Sequence, residues 1–168
     1  MKAGFISFRI KPVFLVGHLT RRAVRRWTEI ASWGDAMVLG VGTDIIEIER
    51  MRKAMRREAF LARVFTQKER AYCDGRGTGR AASYAARWAG KEAVLKAFGT
   101  GLRQGMLWDI EIVPDALGAP EAHLSGFFAA LAEERSVRRI HLSLSHAREY
   151  AVAQCILEGE KHEDRFGR

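Results

Sequence analysis

The spacing of apolar residues along the chain switches between two periods. The segment "MVLGVGTDII" (37–46) is rich in β-branched and small residues and predicts a strand, with Gly40 and Gly42 leaving its backbone open to close approach. From Ile48 the period becomes helical. Ile48, Met51, Met55 and then Phe60 and Val64 mark an apolar face, while Arg50, Arg52, Lys53, Arg56 and Arg57 fill the others. "TQKERAYC" opens with Thr66 followed by Glu69, a capping box that starts a second helix. "GRGTG" (75–79) reads as a loop. Residues 80–98 predict a long third helix, with Val94, Leu95 and Phe98 toward the core.

After Gly101 the period shortens to two. "WDIEIV" (108–113) sets Trp108, Ile110 and Ile112 against Asp109, Glu111 and Val113, and predicts a strand. "PDALGAP" is a turn, "EAHLS" a short strand and "GFFAALAEERS" an amphipathic helix. In "RRIHLSLSHAREYAVAQCILE", Ile140, Leu142 and Leu144 alternate and "YAVAQCILE" forms a buried run, so two strands are joined as a hairpin through "SHARE". The order β-α-α-α-β-β-α-β-β predicts an α+β domain: a mainly antiparallel sheet with the long helix packed against it.

At 168 residues the chain suits one domain, which the pattern places at 37–160 with a polar tail at 161–168. The net charge of +8 is unevenly placed. Residues 1–36 hold seven basic and two acidic side chains, so that segment carries +5 and the other 132 residues only +3. A basic leader or a mis-assigned start upstream of Met37 is expected, because a well-formed strand begins right after it. The charge therefore does not point to nucleic acid. No apolar run is long enough to span a bilayer. Cys73 and Cys155 lack metal-ligand spacing and read as free thiols of a reducing, cytoplasmic setting.

Candidate chemistry gathers in "RWAGKEAVLKAFGTG" (87–101). Glu92 and Lys96 are i and i+4, which on a solvated face is only a weak ion pair. Arg87 and Lys91 place like charges together, unfavourable unless an anion lies between them. Gly99, Thr100 and Gly101 form either a helix C-cap or a backbone cradle for phosphate. Together these features suggest a polyphosphate site, which commonly uses Mg²⁺ held by one or two carboxylates. Glu92 is one candidate carboxylate. Asp44 at the end of the first strand is the other, unless it caps the helix that follows. His146 at a strand end is a turn residue or a site residue on its own evidence.

The blocks "GVGTDIIEIERM", "RVFTQKERAYC", "ARWAGKEAVLKAFGTG", "WDIEIV" and "IHLSLSHAREYAVAQCILE" closely resemble the bacterial-type 4′-phosphopantetheinyl transferases, the holo-[acyl-carrier-protein] synthases, from about Met37 to Glu158. The resemblance implies transfer of the phosphopantetheine arm of coenzyme A to a serine of apo acyl carrier protein, in fatty acid biosynthesis, with release of adenosine 3′,5′-bisphosphate. It implies Mg²⁺ on Asp44 and Glu92, and Lys96 on the coenzyme A phosphates with Arg87 and Lys91 on the same side. It further implies Gly99, Thr100 and Gly101 beside the nucleotide, with Ser145 and His146 opposite, and a homotrimer with sites between protomers. Arg50, Lys53, Arg56 and Arg57 would then receive the acidic carrier protein. In one departure, "GAP" places Ala119 where the family commonly has Lys or Arg. A basic module that binds nucleic acid through residues 9–26 and 50–57 would leave Asp44 and Glu92 without a role. A paralogue that binds coenzyme A without transferring its arm would have no need of intact Asp44, Glu92 and Lys96.

Overall fold

The computed structural model describes residues 36–103 and 105–160, so the basic segment before Ala36 and the tail 161–168 lie outside the described residues. Strand β1 (Ala36–Glu47) is followed by helices α1 (Ile48–Ala54), α2 (Glu58–Val64), α3 (Gln67–Asp74) and α4 (Arg80–Phe98). Strands β2 (Ile110–Pro114) and β3 (Pro120–Leu124), helix α5 (Gly126–Glu134) and strands β4 (Val137–His146) and β5 (Tyr150–Glu160) complete the order. β5 lies between β1 and β4 in one antiparallel sheet, and β2 pairs with β3 in a second. This is the α+β arrangement expected, with α4 against the inner face of the three-stranded sheet.

The glycines of β1 account for how closely strand and helix meet. A Cβ at Gly40 would lie 2.1 Å from the Ala97 carbonyl oxygen, and one at Gly42 would lie 1.9 Å from that of Ala93. Glycine on the strand and alanine on the helix thus bring two backbones together. On the rest of α4, Val94, Leu95 and Phe98 are buried as predicted. At the helix end Gly99 adopts φ 66°, its N–H donates to Lys96 O and the Thr100 N–H donates to Leu95 O. That is a Schellman cap, so the first glycine of Gly-Thr-Gly is there to end the helix.

Three sequence expectations are corrected. The single helix from Ile48 is two, α1 and α2, broken at Met55–Arg57 with Arg57 extended (φ −101°, ψ 105°). Met55 and Phe60 are five residues apart, which in a straight helix would put them about 140° apart around the axis. The break restores the phase, so that Met51 and Leu61 both reach the core. Strand β2 starts two residues later than predicted, and Trp108 falls in a 3₁₀ turn (Leu107–Asp109) and is exposed, while Ile110 and Ile112 are fully buried. Finally, "YAVAQCILE" alternates rather than lying wholly buried: Ala151, Ala153, Cys155 and Leu157 face α4, and Tyr150, Val152 and Gln154 face outward.

Candidate functional site

β1 and α4 carry a charged cluster at the point where their backbones touch. Gly42 seats on Ala93, and two residues further along β1 the side chain of Asp44 meets the face of α4 that bears Glu92 and Lys96. The Lys96 ammonium donates to Asp44 Oδ1 (2.8 Å) and to the Thr43 carbonyl (2.9 Å). Glu92 is half-buried; burial pushes its carboxyl above the usual range, the charge of Asp44 pushes it further, and Lys96 opposes both. Lys96 therefore pairs across to the strand, and the i,i+4 pairing with Glu92 is replaced by three charged groups around one point. Lys96 has one N–H donor left over.

Two carboxylates beside one ammonium leave one negative charge unbalanced, which favours a further cation. Among the described residues no group of three or more His, Cys, Asp or Glu could hold a metal. A two-carboxylate set fits a hard cation that takes its remaining ligands from water and phosphate oxygens, as Mg²⁺ does. It does not fit zinc, which needs three or four protein ligands.

A second group lies nearer the start of α4. An open cleft of about 300 Å³ is lined by Tyr72, Arg76, Ser83, Arg87, Pro120 and His146, among others. Arg87 is held rigidly in its wall. Its Nε donates to the Ile112 carbonyl (3.1 Å), its Nη1 to Ser83 Oγ (3.0 Å), and its guanidinium stacks 4.1 Å over the Tyr72 ring. Its Nη2 has no partner among the described residues. His146 faces this cleft from the inner side of β4, whereas Ser145, the residue before it in the strand, points to the outer face of the sheet. Arg87 and His146 are therefore brought together and Ser145 is not. Ala119 sits in the turn between the cleft-lining Gly118 and Pro120, with its N–H on Asp115 Oδ1.

The placement of Lys91 beside Arg87 in an anion site is corrected. Lys91 is 0% exposed in the single chain, so no assembly can uncover it. Its ammonium forms an ion pair with Glu69 (2.8 Å) and donates to the carbonyls of Leu107 and Ile110. All three of its donors are used within the protein. Burial pushes the Lys91 pKa down and the Glu69 pKa up, and each is countered by the charge of the other. Glu69 is the residue that sequence reasoning placed too narrowly. It caps α3 as predicted, accepting from the Thr66 N–H, but it also accepts from the Ile112 N–H and binds Lys91.

The other predicted residues stand apart from both groups. Gly99, Thr100 and Gly101 follow the end of α4, and Thr100 Oγ1 is buried without a partner among the described residues. Arg50 and Lys53 lie on α1, Arg56 and Arg57 in the break after it, and all four are exposed with no ion-pair partner among the described residues; Arg52 is tied to Glu49. Cys73 and Cys155 are buried free thiols, the latter pushed up to about 12 by burial.

Residues 40–155 match the family model of the 4′-phosphopantetheinyl transferase superfamily, and the chain belongs to this family. Among its relatives is a holo-[acyl-carrier-protein] synthase of Anaeromyxobacter sp. (strain K), 46% identical over 128 residues, which are 73% of this chain and 98% of the relative. The enzyme of that name from Clostridium tetani is 44% identical over 125 residues, covering 74% and 98%. Among solved structures, the holo-[acyl-carrier-protein] synthase of Neisseria meningitidis superposes with a TM-score of 0.67 at 32% identity, over 72% of this chain and 98% of that one. The synthase of Bacillus anthracis, in complex with CoA (3′,5′-ADP), gives 0.63 at 36% identity over 74% and 99%.

Proposed function

We propose that this chain transfers the 4′-phosphopantetheine arm of coenzyme A to a serine of apo acyl carrier protein, giving holo acyl carrier protein and adenosine 3′,5′-bisphosphate for fatty acid biosynthesis. The observation that carries the reading is the Asp44–Glu92–Lys96 cluster, two carboxylates and an ammonium on one strand–helix contact in a chain of this family. The serine oxygen attacks the phosphorus that bears the pantetheine arm. A P–O bond forms to the serine, the P–O bond to the bisphosphate breaks, and the serine proton passes to Glu92 or to a water at its carboxylate. Asp44 and Glu92 would hold Mg²⁺, which when bound would neutralise charge on the pyrophosphate and the departing bisphosphate. Lys96 directs its spare N–H to a phosphate oxygen and keeps Asp44 in place through its other contacts.

Arg87 and His146 line a cleft suited to a phosphate of the nucleotide, and the likeness to the family assigns Gly99, Thr100 and Gly101, at the other end of α4, a place beside the nucleotide. Arg50, Lys53, Arg56 and Arg57 meet the carrier protein: four exposed cations close in the chain, without ion-pair partners among the described residues, favour an acidic partner. The outer face of the sheet exposes Val41 (56%), Ile45 (64%) and Val152 (37%), an apolar surface that supports assembly as a homotrimer with sites between protomers. Among the described residues no helix is long and apolar enough to cross a membrane, and the reading places the enzyme in the cytoplasm. The test is to incubate the chain with coenzyme A, Mg²⁺ and an apo carrier protein and weigh the carrier by mass spectrometry. One added phosphopantetheine on serine is expected. An unchanged carrier mass over a full range of enzyme and magnesium would refute the reading.

A further inference from the structure

Lys91 and Glu69 form the most deeply buried pair of opposite charges among the described residues, and no step of the transfer uses them. The Lys91 ammonium reaches three separate elements: Glu69 of α3, the Leu107 carbonyl of the 3₁₀ turn and the Ile110 carbonyl at the start of β2. Glu69 in turn joins the first turn of α3 to β2 through the Thr66 and Ile112 N–H groups. The helix is therefore tied to three neighbours through one side chain.

The tie lies on a particular side of α4. Successive helical residues are about 100° apart around the axis. Ala93, whose backbone carries Gly42 of β1, is thus about 200° from Lys91, so the two anchors hold opposite flanks of the helix. Glu92 projects between them, about 100° from each. Buried apolar residues such as Ala89, Val94, Leu95 and Phe98 also pack α4, but such contacts are not directional. Without the Lys91 bonds a small roll on β1 would stay open and would shift Glu92 relative to Asp44. With Lys91 fastened on the far side, that movement is closed off.

From this geometry we infer that Lys91 and Glu69 are positioning residues: their buried pair fixes the rotation of α4 and so sets the Glu92 carboxylate opposite Asp44. The inference rests on the transferase reading of the site. It differs from a purely structural role in what it affects. A stabilising pair alters how much protein is folded, whereas a positioning pair alters the site within the folded protein.

Lys91→Met and Glu69→Gln test this, each assayed well below its own melting midpoint, with the folded fraction measured by circular dichroism. Glu69→Gln keeps the side-chain length and an oxygen acceptor, so it serves if Lys91→Met does not fold. Per folded enzyme, each variant should lose about tenfold or more in kcat and need several-fold more Mg²⁺ for half-maximal rate, while the KM for carrier protein stays within about twofold. Mn²⁺ titrated into the protein without substrates, followed by electron paramagnetic resonance, should bind correspondingly more weakly than to the unaltered chain. Unchanged kcat, magnesium requirement and Mn²⁺ binding in a folded variant would overturn the assignment. Absence of transfer by the unaltered chain would overturn the functional reading and the assignment with it.

Discussion

Lys91 and Glu92 follow one another on α4, yet the first is sealed from water and the second stands half-buried beside Asp44 and Lys96. Arg87, one turn earlier, is also buried in the cleft wall, with one guanidinium nitrogen unpartnered among the described residues. The four charges of this stretch thus divide three ways: an internal tie, a fixed cation in a cleft, and two groups of the proposed reaction centre. Lys96 has the most to lose by truncation, because its ammonium both holds Asp44 and is free to meet a phosphate. Lys96→Ala should lower kcat by about 10²–10³-fold, the scale for removing one preorganised charge-stabilising donor. Steady-state assays at saturating coenzyme A and carrier would show it, and a change below about threefold would argue that Lys96 only holds the strand.

At the scale of elements, the contact between β1 and α4 sets the geometry of everything nearby. Gly42→Ala would drive a methyl group into the Ala93 carbonyl and the Ala97 nitrogen, at 1.9 and 2.6 Å, with no side chain able to yield. It should cost about 2 kcal/mol or more in denaturant unfolding, at the upper end of what overpacking costs. The same element shows what the sequence made legible. Glycines at 40 and 42 signalled a close approach, the Thr66–Glu69 capping box placed α3, and the period of residues 80–98 gave α4 with its bounds. What could not be read was set by tertiary partners. The break at Met55–Arg57 depends on which residues the core reaches, and the burial of Lys91 depends on carbonyls from Leu107 and Ile110 arriving from a distant segment. A lysine on a helix carries no mark of such partners. The break also matters for the proposed carrier-protein surface, which spans α1 and the loop after it rather than one helix face. Arg50→Glu with Arg57→Glu should raise the KM for carrier protein about tenfold or more, steeply dependent on salt, and leave that for coenzyme A within twofold. Equal rises for both substrates would contradict it.

For the whole molecule, the sheet is covered by α4 on one face and leaves Val41, Ile45, Val152 and Tyr150 exposed on the other. β5 alternates because α4 covers only one face of the sheet, and the proposed assembly through the other face would account for the apolar residues exposed there. On the proposed homotrimer with sites between protomers, Ile45→Arg should give a monomer in sedimentation velocity and reduce transfer with it; a fully active monomer would contradict that arrangement. The central claim is that Asp44 and Glu92 form the magnesium-dependent centre of arm transfer. It is tested most directly by measuring transfer to apo carrier protein at saturating Mg²⁺ for Glu92→Ala and Asp44→Ala beside Arg52→Ala, whose arginine is already paired with Glu49 on the surface. Folded Glu92→Ala and Asp44→Ala with transfer abolished, and Arg52→Ala close to the unaltered rate, is the predicted result, whereas near-normal turnover by Glu92→Ala would contradict it.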